Sequence, residues 1–199
     1  MPSRQQRNTS PVRTISDFKS KLSGGGARPN LFEVILSFPD AAKPVNQSEV
    51  LEKSRFLVKA AALPASTIAS VDVPFRGRIL KVAGDRTFET WTITVINDVD
   101  FSIRSAFEKW MNVINKMTDA TGLTDPNTYY KDATVKQLDR NGGVLRSYKF
   151  WDIFPTNIST IDLNYETTDT IQEFTVEMQV HYWEAFRGTD AQAGGEDIS

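Results

Sequence analysis

Few side chains in this sequence combine the type and spacing that catalysis or metal binding requires. The 199-residue chain has no cysteine and one histidine, His181, which excludes disulfides and thiol chemistry and disfavours a histidine metal centre. His181 lies in an alternating run, where a polar surface residue is the favoured interpretation. The glycines at 24–26 precede no Lys-Ser or Lys-Thr pair, so they predict a hinge instead of a phosphate-binding loop.

Two pairs of carboxylates are the remaining candidates for chemistry. Asp98 and Asp100 immediately precede a predicted helix, where carboxylates cap the first turn and interact favourably with its dipole, so capping is favoured over acid–base catalysis. Glu173 and Glu177 share one face of a predicted strand on which a cation can bind, but a solvated surface is the favoured interpretation. We therefore expect no enzymatic activity, no cofactor and no metal site.

Hydrophobic periodicity predicts the elements that carry these residues. Period-two alternation predicts strands from Leu31, over Phe88–Asn97 and over Ile171–Trp183. Apolar residues three and four apart predict one amphipathic helix at about residues 101–117. Because a single sheet would leave its edges exposed, we expect a mainly β fold, a sandwich or barrel with this one flanking α-helix.

Turn-forming residues divide the predicted strands. Asn141-Gly142-Gly143 between two extended segments predicts a hairpin, and Gly84-Asp85 predicts another turn. Pro155-Thr156-Asn157 predicts a break in the chain. The polar stretch Asp40–Lys53 is predicted to be a long loop.

The composition is typical of a soluble globular protein. No apolar run approaches the roughly 18 residues of a membrane span, and the amino terminus lacks the apolar core of a secretory signal.

The charges are divided unevenly along the chain. Residues 1–28 carry six basic side chains and one acidic, a net charge of +5, so the other 171 residues carry −7 of the total of −2. Basic arms of this kind contact nucleic acid or another acidic surface, or are solvated tails. Within the arm, residues 14–22 are predicted to form a short helix capped by Ser16.

Five stretches, in order along the chain, carry a family resemblance. They are Ala27–Phe32 (ARPNLF), Ala61–Ala65 (AALPA), Val82–Phe88 (VAGDRTF) running into Trp91–Asp98 (WTITVIND), Phe154–Asn157 (FPTN), and Ile171–Val176 (IQEFTV) closing with Tyr182–Glu184 (YWE). Together they resemble the tail tube protein of contractile-tailed, myovirus-type bacteriophages, a family related to the inner-tube proteins of type VI secretion systems.

The resemblance implies a β-barrel-like subunit that forms hexameric rings, which stack into a hollow tube. Its implied partners are further copies of the chain, the tail sheath protein, and the baseplate and tape-measure proteins. Double-stranded DNA would pass through the lumen without specific binding. The protein itself is expected to have no membrane anchor. The implied location is the virion tail, assembled in the bacterial host cytoplasm, and the implied function is genome delivery into the host cell.

Two sets of polar side chains are candidates for the lumen. Alternation places Thr90, Thr92 and Thr94 on one face of their strand. It places Glu173, Thr175, Glu177 and Gln179 on one face of another, and the sequence leaves the choice between the two open. Because DNA binding depends on Lys and Arg neutralising phosphates, an acidic body of net charge −7 is expected to let DNA slide.

The resemblance covers residues 27–184, which we expect to be the tail tube β domain. Residues 1–26 are expected to be a basic flexible arm, residues 40–53 a loop insertion, and residues 185–199 a flexible tail, since all three depart from the family pattern. The basic side chains of the arm are candidates for inter-subunit contacts: Arg4, Arg7, Arg13, Lys19 and Lys21.

Three other functions remain open at this stage. A tube-initiating baseplate protein and an inner-tube subunit of a contractile injection system would share the fold. A nucleic-acid-binding β module would need a basic face on the folded body, whereas the basic residues there are scattered and outnumbered by acidic ones, 24 to 17.

Overall fold

Antiparallel strands dominate the computed structural model, which describes residues 13–22, 26–43, 46–63, 65–187 and 196–197. The strands are β1 (Phe32–Ile35), β2 (Val58–Ala61), β3 (Ser66–Phe75), β4 (Arg78–Phe88), β5 (Trp91–Ile96), β6 (Lys131–Leu138), β7 (Val144–Ile158), β8 (Glu173–Gln179), β9 (Tyr182–Arg187) and β10 (Glu196–Asp197). The helices are α1 (Ile15–Lys21), α2 (Gln47–Leu57), α3 (Ser102–Ile114) and α4 (Pro126–Tyr129), with a 3-10 helix at Asp40–Ala42. The predicted mainly β fold class is confirmed.

The long strand β7 belongs to two sheets at once. Its first half pairs with β6 on one edge and, over Arg146–Trp151, with β9 on the other. Its second half, Phe154–Ile158, pairs with β8, and the order continues through β5 to β2. One sheet is therefore β1-β6-β7-β9-β10 and the other is β7-β8-β5-β2.

The chain turns a corner where β7 passes from one sheet to the other. Asp152 adopts a left-handed conformation, with φ of 53°, which Asp tolerates better than most residues. Beside it, Val180 and His181 interrupt the partner strand, and the His181 N–H donates to the Trp151 carbonyl at 3.2 Å. The prediction of one strand over Ile171–Trp183 is therefore wrong: the stretch holds β8 and the start of β9, because both strands must bend together.

The predicted chain break at Pro155-Thr156-Asn157 and the predicted turn at Gly84-Asp85 were also wrong, because both stretches lie inside strands. Pro155 is buried within β7, and a register shift between Pro155 and Asn157 accommodates it, as expected for a proline at a bulge. Gly84 lies within β4 opposite a bulge between Ile68 and Ser70. A Cβ atom at Gly84 would lie 3.1 Å from the Ala69 carbonyl oxygen, so glycine permits the close approach of the two strands.

The core fills the space between the two sheets and α3. Trp91 of β5 stacks on Phe150 of β7, with ring centroids 4.4 Å apart, and both side chains are fully buried. On the helix side, Phe107 and Trp110 pack edge-on against Phe38 at 5.2 and 5.8 Å. The predicted amphipathic helix is therefore present as α3, and its apolar face covers the core.

Helix α2 corrects the expectation of a single flanking helix and of a loop throughout 40–53. Val50 and Ser54 are buried and four residues apart, which is the spacing of one helical face. Only two of its side chains are buried, so the apolar pattern in the sequence is too weak to indicate a helix. The Ser54 hydroxyl donates a hydrogen bond to the Leu51 carbonyl of the same helix at 2.7 Å, so its burial leaves no hydroxyl unpaired.

An ionic cluster ties α2 to the start of α3. The Lys53 ammonium lies 3.0 Å from Asp98, 3.3 Å from Asp100 and 3.0 Å from Glu49. Asp98 also accepts hydrogen bonds from the Ser102 N–H at 3.0 Å and from the Ser102 hydroxyl at 2.8 Å. Asp98 thus accepts from the first N–H of α3, whose N-cap residue is Phe101. Asp100, also predicted to cap the helix, makes no such bond and contacts Lys53 instead.

The cluster shifts the pKa values of its members toward their charged forms. Partial burial by itself raises the pKa of Asp98, but hydrogen bonds from Ser102 and Lys53 outweigh it, so the pKa lies below its ordinary value. The hydrogen bond to Asp98 is the largest of the effects that raise the pKa of Lys53 above its usual range. Asp98 therefore stabilises the fold at neutral pH, and this contribution is lost as the pH falls through its lowered pKa.

We expect Asp98→Ala to lower the free energy of unfolding by about 1 kcal/mol at pH 7, because a helix loses its cap acceptor. Urea unfolding at pH 7 and at successively lower pH measures it, and the loss should shrink as the pH falls through the lowered pKa of Asp98 and the wild-type carboxylate becomes protonated. Asp98→Asn is the matched control, since it keeps a cap acceptor and removes only the charge. A loss for Asp98→Ala that does not change with pH would contradict a role for the ion pair with Lys53.

Candidate functional site

The two predicted sets of lumen residues lie on one face of one sheet. In the antiparallel pair β5–β8, Thr92 is opposite Glu177 and Thr94 is opposite Thr175, and directly opposite side chains project to the same side. The other side is fully buried, with Ile93 opposite Val176. The alternatives that the sequence left open are therefore neighbours: together they form what we call the polar sheet face.

The polar sheet face extends over all four strands of its sheet. Ala60 of β2 lies opposite Thr94, and Asn157 of β7 lies opposite Glu177. Thr90 is exposed just before β5, and Gln179 ends β8 opposite Phe154. Small and polar side chains thus make up most of this surface, and those of Thr92, Thr94, Thr175 and Glu177 are partly exposed.

Charge on the polar sheet face is weakly acidic. The Lys59 ammonium lies 2.6 Å from the Glu173 carboxylate and neutralises it. Among the described residues, no cation forms an ion pair with Glu177. The face therefore repels phosphate weakly and has no cluster of basic side chains to bind it.

A row of exposed apolar side chains lies on the hairpin formed by β3 and β4. These strands form a two-stranded sheet of their own, joined at Arg76 and Gly77, whose φ values of 47° and 80° match the turn that favours glycine in tight hairpins. At its base, Phe88 contacts Trp183 of the body edge-on, with ring centroids 6.4 Å apart. The rest of the hairpin projects without packing against the body.

The two faces of the hairpin differ in charge, although the face of Asp72 and Lys81 also carries Pro74 opposite the exposed Ile79. On one face, Val71 is opposite Val82 and Val73 is opposite Leu80, and Phe75 extends the row; all five side chains are 43–67% exposed. On the other face, Asp72 forms an ion pair with Lys81 at 2.9 Å. We call the first face the apolar hairpin face. Sequence reasoning missed it, although the alternation from Val71 to Phe75 before Arg76-Gly77 is the signal that indicates it.

Helix α1 is a second amphipathic element with none of its residues buried. The Thr14 hydroxyl accepts a hydrogen bond from the Asp17 N–H and the Asp17 carboxylate accepts one from the Thr14 N–H, so Thr14 is the cap and the prediction of Ser16 is wrong. Both groups are needed for this reciprocal arrangement. Of the basic residues predicted to contact other subunits, Arg13, Lys19 and Lys21 are exposed, whereas Arg4 and Arg7 lie outside the described residues.

In the described part of the chain, no cluster of potential metal ligands marks a further site. There, no group of three His, Asp or Glu side chains is placed to hold a metal ion. His181 is exposed at the corner between β8 and β9. No described helix is both long and apolar enough to cross a membrane.

Comparison with known proteins identifies relatives of the whole body. A family model described as phage tail tube protein matches residues 27–185. The tail tube protein gp19 of Enterobacteria phage T4 is 34% identical over 163 residues, which are 81% of this chain and 93% of that protein. The tail tube protein of Serratia phage KSP90 is 28% identical over 168 residues, covering 83% of this chain and 93% of that protein.

Solved structures share the fold at low sequence identity. A chain of the anti-feeding prophage tube-terminating cap superposes with a TM-score of 0.60 at 15% identity, over 82% of this chain and 92% of that one. A chain of the sheath–tube complex of an extracellular contractile injection system superposes with a TM-score of 0.57 at 13% identity, over 85% and 97%.

Proposed function

Since the chain belongs to the phage tail tube protein family, we propose that it is a structural, non-catalytic subunit of a contractile phage tail that assembles into stacked hexameric rings. The stacked rings form a hollow tube inside the tail sheath and deliver the genome into the host cell. The observation that carries the proposal is an apolar hairpin face that stays exposed among the described residues of the subunit.

The apolar hairpin face supports assembly with further copies of the chain. Burying a Val, Leu or Phe side chain contributes about 1.5–3 kcal/mol each relative to leaving it in water. The hairpin has no core of its own in which to bury the five side chains of this row. Burying them against another copy would therefore strongly favour association. The hairpin is thus proposed to pack against a neighbouring copy.

Open strand edges support closure of a ring. Within the described residues, β2 pairs only through the edge facing β5, and the Phe154–Ile158 half of β7 pairs only through the edge facing β8. These are the two ends of the same four-stranded sheet. If β2 of one copy pairs with this half of β7 in the next, the sheets continue around a ring and neither of these two edges is left exposed.

Such a ring would turn the polar sheet face toward one common lumen. The buried side of this sheet packs on the core of its own subunit, so the threonines and Glu177 would face the channel. A surface without basic clusters lets DNA pass without binding it. The sheath, baseplate and tape-measure proteins are the further partners that we propose, in a virion tail assembled in the host cytoplasm.

Sequence identity favours a phage tail tube over the related roles. The chain is 34% identical to the T4 tail tube protein and 15% or less to the two compared chains of injection systems. A tube-initiating baseplate protein would share the fold, so the fold alone does not separate these roles. The distinguishing property is assembly into long tubes from this chain alone.

We expect the pair of substitutions Val73→Lys and Leu80→Glu to abolish tube formation. The two residues are opposite each other, so an opposite-charge pair preserves the hairpin while making its apolar face polar. Negative-stain electron microscopy should show tubes for the wild type and none for the variant, with an unchanged thermal unfolding curve of the subunit.

The matched control exchanges the charges of the ion pair on the opposite hairpin face, by Asp72→Lys with Lys81→Asp. This variant changes the same number of residues and should still form tubes. Tubes of normal length from the Val73→Lys, Leu80→Glu variant would refute the role of the apolar hairpin face.

We expect Glu177→Lys to leave tubes intact and to slow genome release from virions, because a lysine on the polar sheet face binds phosphate. Release kinetics measured at low and high salt should converge at high salt, where such binding weakens. Glu52→Lys, an equal charge reversal at an exposed site on α2, serves as the control. Equal release rates for wild type and Glu177→Lys at low salt would contradict a lumen position for Glu177.

A further inference from the structure

The segment between β7 and β8 presents exposed apolar side chains around a concavity. Residues 159–172 contain no strand, and Leu163, Tyr165 and Ile171 are 71% exposed or more. Ile161 is partly buried against the core and anchors the segment. The segment lines most of a cavity of about 610 Å³, which has room for large apolar side chains of another element.

This segment is also the centre of the acidic part of the chain. Between Phe150 and Phe186 the sequence has seven acidic residues and no lysine or arginine. Three of the seven, Asp162, Glu166 and Asp169, lie in the segment and are exposed. We call residues 159–172 the acidic loop: it combines uncovered apolar surface with uncompensated negative charge.

Helix α1 has the complementary properties. Ile15, Phe18 and Leu22 follow the i, i+3, i+7 spacing of one helical face, and they are 77%, 64% and 48% exposed. Lys19 and Lys21 lie beside this stripe and are exposed as well. The capping box of Thr14 and Asp17 favours the helix locally, and docking of its apolar stripe would stabilise a helix of only seven residues.

The chain that follows α1 and the acidic loop lie at opposite ends of β7. The chain that leads from α1 passes the β6–β7 turn, where Gly26 and Arg28 line a concave surface with Asp139 and Leu145, just inside the start of β7. The acidic loop follows Ile158 at the other end of β7. Complementary patches at opposite ends of a subunit form a heterologous contact, which repeats from one copy to the next.

We propose that α1 of one copy docks on the acidic loop of a second copy, with Phe18 in the cavity and its basic side chains facing Asp162, Glu166 and Asp169. This inference rests on the proposed stacking of copies and names a contact between them. The arm of net charge +5 would then contact a protein surface and not DNA, because the acidic loop offers both the negative charge and the apolar surface that complement α1.

The absence of cysteine from the chain makes crosslinking the direct test. Two chains, one with Phe18→Cys and one, with a size tag, carrying Tyr165→Cys, are co-assembled and oxidised. We expect a disulfide-linked heterodimer as the main product. The control replaces Tyr165→Cys by Phe56→Cys, an equally aromatic and 77% exposed site on α2, and should give little heterodimer.

Each other outcome overturns the inference. Equal yields from the test and control pairs would show a non-specific encounter. A disulfide between Phe75→Cys and Tyr165→Cys, with none from Phe18→Cys, would assign the acidic loop to the hairpin. A disulfide within single chains of a Phe18→Cys, Tyr165→Cys double variant at high dilution would assign α1 to its own loop.

Electron microscopy of the same samples separates this inference from the proposed function. Tubes without the heterodimer refute the docking of α1 and leave the tube function standing. The heterodimer from the cysteine variants, with no tubes from the wild-type chain prepared alongside, supports the docking and refutes the tube function.

Charge exchange tests the ionic part of the contact. Lys19→Glu with Lys21→Glu should lower the heterodimer yield at low salt by about fivefold, since exposed ion pairs each contribute modestly. Combining this chain with a partner carrying Asp162→Lys and Glu166→Lys should restore the yield. Failure of the reversed partner to restore it would show that the charges do not face each other.

Discussion

The structure depends on one strand serving two sheets. Because β7 pairs with β9 along its first half and with β8 along its second, the chain must bend at Asp152, and the neighbouring strand is interrupted at Val180 and His181 to bend with it. The bend brings the two sheets face to face, so that Trp91 of one stacks on Phe150 of the other. Helix α3 then needs to close only one open side of the core.

A complete core in each subunit leaves the remaining apolar surface available for assembly. The hairpin, α1 and the acidic loop bury little or nothing within their own chain, yet each carries large apolar side chains. Elements of this kind add little to the stability of the isolated subunit, since stabilisation follows the apolar area removed from water. Their apolar surface is better explained by contacts between copies, in keeping with membership of the phage tail tube protein family.

Electrostatics divides the molecule into regions with different tasks. The polar sheet face has few charges, and Lys59 neutralises Glu173, as the proposed lumen surface would require. The stronger negative charge lies off this face, in the acidic loop, and the strongest positive charge lies in the amino-terminal arm. Under the proposed docking of α1 on the acidic loop, the division between +5 and −7 would relate more directly to contacts between protein surfaces than to DNA.

The sequence alone determined the elements whose patterns are local and strong. Alternation over Trp91–Ile96, the helical spacing of α3 and the Asn141–Gly143 turn each reflect neighbours within a few residues, and each element is present. The polar sides of β5 and β8 were likewise readable from alternation. Helix α2 was missed because it buries only Val50 and Ser54, and a pattern of two residues is too weak to identify.

Only the tertiary structure decided how these elements relate. That Thr92 lies opposite Glu177 depends on strand register, which joins residues 85 positions apart and leaves no periodic trace in the sequence. Whether Gly84 and Pro155 end a strand or lie inside it depends on bulges that the partner strands accommodate. The exposure of the hairpin was equally invisible, because an apolar row predicts burial but does not say whether the surface that buries it belongs to the same chain or to another.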